Sequence, residues 1–252
     1  SVRRSPGFSP PEMPGSDTDD GPATRTVREE RSASPMRRTI AERLAESYRD
    51  AVHVTASREV DAETLASTSD RAGEDVAITD VVIRALSEAL DAHPSFNATF
   101  EDGVHRLYEE HNVGVAVAIE DGLVAPVLAD VGSKSLAEVA RERRHLTEAV
   151  QAGDHSMTDL RGGTITLSNL GPLGVDSFTP IINPPEVAIL GVSRLRERAR
   201  PDGESGVAFR REVTFDLSFD HRVVDGADAA RFLGTLAERV EAADRYLDGP
   251  GE

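Results

Sequence analysis

The sequence predicts an α/β fold, a two-layer sandwich in which a layer of helices covers a mixed, largely antiparallel sheet. In several segments apolar residues repeat every three to four positions, which is typical of amphipathic helices. Other segments alternate apolar and polar residues and end at Gly, Asp or Pro, which is typical of strands and hairpins. With 252 residues, of which 38% are hydrophobic, the chain can bury the core of one large domain.

The first half of this fold is predicted to begin with a helix that Ser34 caps and that runs to about Asp50. A strand and a second helix follow, and then a third helix that Thr79 caps and Pro94 ends. The other predicted elements are the strand Val52–Val60, the helix Ala62–Ala72, and a hairpin of Phe96–Phe100 with Val104–Tyr108.

The second half contains the densest strand pattern, Val113–Ile119 and Leu123–Leu128, on either side of the tight-turn pair Asp121-Gly122. Helical periodicity then returns twice, with strands between. The predicted bounds are a helix at Leu136–Ala152, strands at Thr164–Ser168, Val187–Val192 and Val207–Phe219, and a helix at Ala227–Ala243.

The first 33 residues differ in composition from the rest of the chain. They are rich in Ser, Thr, Pro and Gly, and their apolar residues are isolated. Such a composition predicts a flexible linker or disordered tail, because it cannot bury enough surface to offset the entropy lost on ordering. Residues 34–252 are then the folded domain. Whether the tail tethers another module remains open.

The charge balance excludes several classes of partner. Lys and Arg number 28 and Asp and Glu 45, so the formal net charge is −17. Nucleic acids and anionic membranes would repel such a chain, so neither is expected as a partner. No apolar stretch approaches the roughly 18 residues of a spanning helix. The first residues also lack the apolar run of a secretory signal, which predicts a cytoplasmic protein.

Cysteine is absent from the chain, and lysine is almost absent. The chain has no cysteine, which excludes disulfides, cysteine nucleophiles and thiolate metal sites, and its histidines lack metal-ligand spacing, so no metal is expected. Lys134 is the only lysine. Together with the acidic surplus, this predicts a surface adapted to high salt, where counterions relieve self-repulsion. Compositional drift in a GC-rich genome is the alternative explanation.

The segment that carries chemistry is LSFDHRVVDGADAARFL, Leu217–Leu233. A strand is predicted to end at Asp220-His221-Arg222, and Asp225-Gly226 turns the chain into the last helix. His221 therefore stands at a strand end, where a rigid scaffold can present it to a cleft. With a pKa of about 6.5, histidine suits general-base catalysis, and a thiol of pKa about 8.5 is within its reach.

The string DHRVVDG resembles the DHRxxDG motif of the dihydrolipoamide acyltransferases, the core subunits of 2-oxoacid dehydrogenase complexes. Its looser HxxxDG core is shared with the chloramphenicol acetyltransferases, which have the same fold. The segments PMRRTIAERL, GGTITLSNLGPLG and FTPIINPPEVAILGVSRL are also similar to this family. The resemblance covers about Ser34 to Leu247, and it implies a chloramphenicol acetyltransferase-like sandwich.

The resemblance assigns roles to individual residues. His221 matches the catalytic base that takes the proton from the thiol of coenzyme A or dihydrolipoamide. Ser168, in TLSNLG, matches the hydroxyl that stabilises the tetrahedral oxyanion. Asp225 matches the aspartate that pairs with an arginine, which would be Arg37 or Arg38. Coenzyme A is then a substrate, and lipoate comes from a separate domain or chain.

The resemblance also implies partners. Family members form a homotrimer or a larger core, with the active site between subunits. They work with a lipoyl-bearing domain, a 2-oxoacid decarboxylase and dihydrolipoamide dehydrogenase. The polar end DRYLDGPGE favours a trimer over a cage. A stand-alone acetyltransferase and a non-catalytic assembly protein are the alternatives, and the acyl group is not specified.

A row of alternating arginines follows the last matched segment. On a strand, Arg194, Arg196, Arg198 and Arg200 would share one face. Arg194 and Arg196 are therefore candidates for binding the phosphates of coenzyme A. A solvated hairpin edge is an equally good explanation of the row.

Overall fold

The computed structural model describes residues 25–120, 122–203 and 206–248. Residues 25–33 are exposed and contain no helix or strand, and the compact unit of the chain begins at Ser34. Most of the predicted tail, residues 1–24, lies outside the described residues, so its flexibility remains a prediction.

The described part of the chain contains five α-helices, eleven strands and four short 3-10 helices. The helices are α1 (Pro35–Asp50), α2 (Glu63–Ala72), α3 (Ile78–Ala92), α4 (Leu136–Ala152) and α5 (Gly226–Glu241). The strands are β1 (His53–Asp61), β2 (Ala98–Glu101), β3 (Val104–Leu107), β4 (Val113–Val115), β5 (Val117–Ile119), β6 (Gly122–Val124), β7 (Val127–Leu128), β8 (Ile165–Asn169), β9 (Ala188–Val192), β10 (Arg196–Asp202) and β11 (Gly206–Asp220).

The main sheet has the strand order β1-β11-β9-β8-β4-β7, and β10 pairs with the outer part of β11. The pairs β4–β8 and β8–β9 are parallel and the other pairs are antiparallel, as the sequence predicts. Helix α5 lies on β1 and β11 and α2 contacts β11, while α3 packs against α2, α4 and α5. Between these layers lie Phe215, Leu217 and Phe219 of β11 and Phe232 of α5, all of them fully buried.

The predicted pair Val113–Ile119 and Leu123–Leu128 is wrong as two continuous strands. Each is interrupted: β4 and β7 join the main sheet, while β5 and β6 form a separate two-stranded sheet. The second strand is interrupted at Pro126, which has no N–H to donate and only accepts, from the Val115 amide. The first is interrupted at Ala116, whose amide donates to the Leu167 carbonyl. Asp121 of the predicted turn lies outside the described residues.

The predicted cap of the third helix is also wrong. Helix α3 is capped by Ala77, and Thr79 lies inside its first turn. The Asp80 carboxylate accepts a hydrogen bond from the Ala77 amide at 2.8 Å. This side chain, and not that of Thr79, therefore bonds a free N–H group at the start of the helix. The Thr79 hydroxyl instead accepts from the side chain of Asn169, at the end of β8.

The charge of −17 predicts how stability depends on salt. Unscreened repulsion should destabilise the fold, and the Debye length falls from about 30 Å at 0.01 M salt to about 3 Å at 1 M. We expect the melting temperature to rise by several degrees along a potassium chloride series toward molar salt. A flat or falling curve would contradict adaptation to salt.

Candidate active site

His221 directly follows the end of β11 and is accessible. Its backbone amide donates to the Val52 carbonyl at 2.9 Å, which fixes the turn, and its side chain is 41% exposed. Its Nδ1 lies 3.6 Å from the Asp225 carboxylate. The negative charge on this side favours a proton on Nδ1 and leaves Nε2 as the acceptor, the arrangement that a general base needs.

Asp220 organises the turn that carries His221. Its buried carboxylate accepts hydrogen bonds from the Val52 amide and from the backbone and guanidinium of Arg222. Burial alone would raise the pKa of Asp220, but these hydrogen bonds outweigh burial and lower it below its ordinary value. Arg222 in turn lies over the Phe100 ring, 4.8 Å from its centroid. Sequence reasoning missed this role, although an aspartate two residues before an arginine was a visible signal.

Asp225 begins α5, where its backbone amide donates to Asp228 at 3.2 Å. The ion-pair contact of its own carboxylate is with His221. Arg37 and Arg38 lie in the first turn of α1, and the Arg37 guanidinium is close to Gly122. The pairing of Asp225 with Arg37 or Arg38 remains a prediction.

Ser168 lies near the end of β8 and lines a cavity of about 370 Å³. It is 8% exposed, and its hydroxyl makes no hydrogen bond to any residue that the structure describes. Its neighbour across the sheet is Gly191 of β9. The Phe178 ring lies against Gly191 so closely that an added Cβ would come within 2.9 Å of it. Glycine at this position therefore allows an aromatic side chain to close the cavity beside Ser168.

Asp216, in the middle of β11, holds the wall of this cavity. Its carboxylate is fully buried and accepts from the hydroxyls of Ser57, Ser177 and Ser193 and from the Phe178 amide. A buried carboxylate needs such donors to offset the loss of hydration. Asp216 thereby fixes the segment before Phe178. The sequence analysis missed it, although an acid inside the apolar run VTFDLSF was the available signal.

Glu186 is a second buried carboxylate close to the cavity. It accepts from the Thr166 hydroxyl at 2.6 Å and from the Asn183 amide at 2.9 Å, and both of these residues line the cavity with Ser168. Burial raises the pKa of Glu186 to about 7, although these two hydrogen bonds and the charge of Arg43 act in the opposite direction. Its charge therefore changes near neutral pH.

Replacing Glu186 with glutamine tests this pKa. Because the pKa of the folded state lies above the unfolded value of 4.5, the stabilisation is present at low pH and is lost as pH rises through about 7. The complete loss is roughly 3 kcal/mol, from about 1.4 kcal/mol per pH unit. We expect Glu186→Gln to melt close to wild type at pH 5 and clearly above it at pH 8. The exposed Glu109→Gln is the control, and parallel melting curves for wild type and Glu186→Gln at both pH values would contradict the shift.

One chain does not bring His221 and Ser168 together. Ser168 pairs with Gly191, which pairs with Asp216, five residues before His221. Two strand spacings of about 4.8 Å and five residues of about 3.3 Å place the two Cα atoms roughly 19 Å apart. A reacting thioester cannot contact both side chains of one subunit.

Residues 26–247 match the family described as 2-oxoacid dehydrogenases acyltransferase (catalytic domain). The chain belongs to this family.

Curated relatives within the acyltransferase family differ in the acyl group that they are named for. The acetyltransferase component of the pyruvate dehydrogenase complex of Zymomonas mobilis is 32% identical over 94% of this chain and 54% of its own length. The succinyltransferase component of the 2-oxoglutarate dehydrogenase complex of Rickettsia felis is 35% identical over 90% of this chain and 59% of its own length. The chain thus spans little more than half of each relative.

Solved structures agree with the acyltransferase family. Dihydrolipoamide acetyltransferase of Azotobacter vinelandii, solved to examine a serine, a histidine and an asparagine in its catalytic mechanism, superposes with a TM-score of 0.82. It is 30% identical over 94% of this chain and 99% of its own. A chloramphenicol acetyltransferase superposes with a TM-score of 0.50 at 17% identity over 80% of this chain and 93% of its own, which confirms the predicted fold.

Arg196, Arg198 and Arg200 lie on β10, and Arg194 lies two residues before it. The guanidinium groups of these four arginines contact carboxylates. Arg194 and Arg196 both bond Asp176, at 2.6 and 2.7 Å. The remaining contacts are Arg196, Arg198 and Arg200 with Glu59, and Arg200 with Glu212. These ion pairs favour the interpretation of the arginine row as a solvated hairpin edge. Binding of coenzyme A phosphates by Arg194 and Arg196 remains a prediction.

Two exclusions drawn from the sequence can be compared with the described part of this acyltransferase domain. There, no three His, Asp or Glu side chains are placed to hold a metal ion. No helix in the described ranges combines the length and apolar composition needed to cross a bilayer.

Proposed function

We propose that this chain transfers an acyl group between dihydrolipoamide and coenzyme A, as the core of a 2-oxoacid dehydrogenase complex. His221 of one subunit and Ser168 of its neighbour form each active site in a homotrimer. The roughly 19 Å between the two residues within one chain is the observation that carries this proposal. His221 is accessible to solvent, and the Ser168 hydroxyl has no hydrogen bond to the described residues. Within one chain, the two side chains are too far apart to act on the same substrate atom.

The chemistry follows from the two side chains. Nε2 of His221 takes the proton from the attacking thiol, and the thiolate adds to the carbonyl carbon of the acyl thioester. The Ser168 hydroxyl donates to the oxyanion that forms. When the carbonyl re-forms, the carbon–sulfur bond to the first carrier breaks, and the departing thiolate takes the proton back from His221. One thioester replaces another, so alignment and charge stabilisation supply most of the rate.

The Azotobacter relative supports these roles and also marks a difference. That protein was studied for a serine and for a histidine and an asparagine four positions apart. Four positions after His221 this chain has Asp225, a charged residue 3.6 Å from the ring. Asp225 therefore orients the imidazole, as a carboxylate does beside a catalytic histidine.

The lipoyl group is proposed to arrive on another domain or chain. Lys134, the only lysine, lies directly before α4, and its Nζ is 3.2 Å from Glu142. That position is not the tip of a strand hairpin. A lipoyl-bearing domain, a 2-oxoacid decarboxylase and dihydrolipoamide dehydrogenase are the proposed partners, and the proposed location is the cytoplasm.

Mixing two inactive variants tests the shared site. In a trimer that contains both His221→Ala and Ser168→Ala chains, one of three interfaces pairs an intact histidine with an intact serine. Random assembly gives about three quarters mixed trimers, so co-expression should restore about one quarter of wild-type activity. The assay is acyl transfer from acyl-coenzyme A to free dihydrolipoamide.

The control co-expresses the double variant with either single variant, which leaves no intact interface. Those mixtures should remain inactive. If the two single variants, co-purified through separate tags, also remain inactive together, the site lies within one chain and the proposal is wrong.

A further inference from the structure

The cavity beside Ser168 has a lining that bears on the acyl group. About 370 Å³ lies between α1, β8 and residues 178–183. This is the size of a small-molecule site, and an acetyl methyl group would fill little of it. Most of the lining is apolar: Met36, Ile40, Leu44, Ala116, Leu123, Val124, Ala125, Met157, Leu160, Phe178, Pro180, Ile181 and Ile189.

The polar groups of the cavity are mostly occupied. The Thr166 hydroxyl and the Asn183 amide both donate to Glu186. Thr39 donates to the carbonyl of Pro35 within α1. Ser168 is left to face a ligand, because its hydroxyl makes no hydrogen bond to the part of the chain described.

Arg43 is the one charged residue among the described lining. Its Nη2 donates to the Pro184 carbonyl at 2.8 Å, and its charge acts on the buried Glu186. Arg43 is therefore already engaged with a backbone carbonyl, but it forms no ion pair with Glu186 in the described part of the chain. A substrate carboxylate in the cavity would lose its hydration among mostly apolar side chains, and only this exposed, carbonyl-bound guanidinium of the described lining could pair with it.

We infer that this site takes uncharged aliphatic acyl groups larger than acetyl, such as branched four- and five-carbon chains, and discriminates against succinyl. The inference rests on the proposed acyl transfer and adds the substrate class. Each methylene buried against apolar walls is worth about 0.8 kcal/mol, which is about fourfold in kcat/KM when realised in the transition state. A desolvated carboxylate costs far more than several methylenes contribute.

The test compares acetyl-, isobutyryl-, isovaleryl- and succinyl-coenzyme A as donors to free dihydrolipoamide. Because acceptor and carrier are constant, differences in kcat/KM report the acyl group. We expect isobutyryl and isovaleryl, with two and three more buried carbons, to exceed acetyl by about 15-fold and about 60-fold, and to exceed succinyl by about 100-fold or more. Preference for acetyl, or succinyl within tenfold of the best donor, would overturn the inference alone. Activity with none of the four donors would overturn the proposed function as well.

Two variants change the cavity in opposite ways. Ile181→Arg adds a free cation to its wall and should raise succinyl relative to isovaleryl transfer by about tenfold or more. Val207→Arg adds the same charge on an exposed strand outside the cavity and should leave the ratio unchanged.

Ala125→Leu fills space in the cavity and should lower isovaleryl transfer more than acetyl transfer. Unchanged donor ratios in both folded cavity variants would show that the cavity does not hold the acyl group.

Discussion

His221→Ala is expected to lower acyl-transfer turnover by about 10²–10⁴, the usual contribution of a positioned general base. The reason is local: the substitution removes the imidazole that is proposed to take the proton from the thiol at the end of β11. The side chain is 41% exposed and its backbone supplies the hydrogen bond to Val52, so the fold should survive. Steady-state turnover and circular dichroism, measured on the same preparation, check both parts.

His145→Ala is the matched control, because this histidine is exposed on α4, distant in sequence from the DHRVVDG turn. It should retain wild-type turnover. The turnover of His221→Ala should also rise more steeply toward high pH than that of wild type, because free hydroxide can then supply the thiolate. Full activity in a folded His221→Ala protein would rule out this base.

Ser168→Ala is expected to lower turnover by about 10²–10³ through the loss of one oxyanion donor. Since the Ser168 hydroxyl has no hydrogen bond to the described residues, its removal should leave the melting temperature unchanged. Ser193→Ala provides the converse: it removes a donor to the buried Asp216 and should lower stability by about 1 kcal/mol. Kinetics and thermal melts of the two variants, measured together, separate a catalytic serine from a structural one.

A Ser168→Ala variant that transfers acyl groups at the wild-type rate would exclude the hydroxyl from the reaction. A large fall in its melting temperature would instead assign Ser168 to the support of β8. Either result would move the oxyanion site elsewhere.

Local signals explain where the sequence predicted the fold well. The bounds of α4 agree at both ends, because Ser135 and Glu138 form a capping box and Gly153 ends the helix in a left-handed conformation. The Ser34 cap of α1 is confirmed for the same reason, since its hydroxyl accepts from the Arg37 amide. These interactions span three or four residues, so a short stretch of sequence contains both partners.

The parts that the sequence missed depend on contacts distant along the chain. Asp216 accepts a hydrogen bond from Ser57, and Arg198 of the arginine row donates to Glu59. In both pairs the two residues are well over 100 positions apart in the sequence. No local pattern shows such partners, so a buried carboxylate resembles an ordinary strand residue and an ion-paired arginine resembles a free one. The family resemblance implied an active site between subunits, and the order of strands in the sheet gives the distance that separates His221 and Ser168 in one chain.

In the proposed trimer, that separation would make each isolated subunit a latent enzyme. A subunit released by dilution would carry its histidine and its serine as two unmatched halves of different sites. Specific activity should therefore depend on protein concentration, and it should fall as the assembly dissociates, before any unfolding begins. The same proposal implies that acyl-coenzyme A would be protected, because a newly made chain could not consume it until it had met its neighbours.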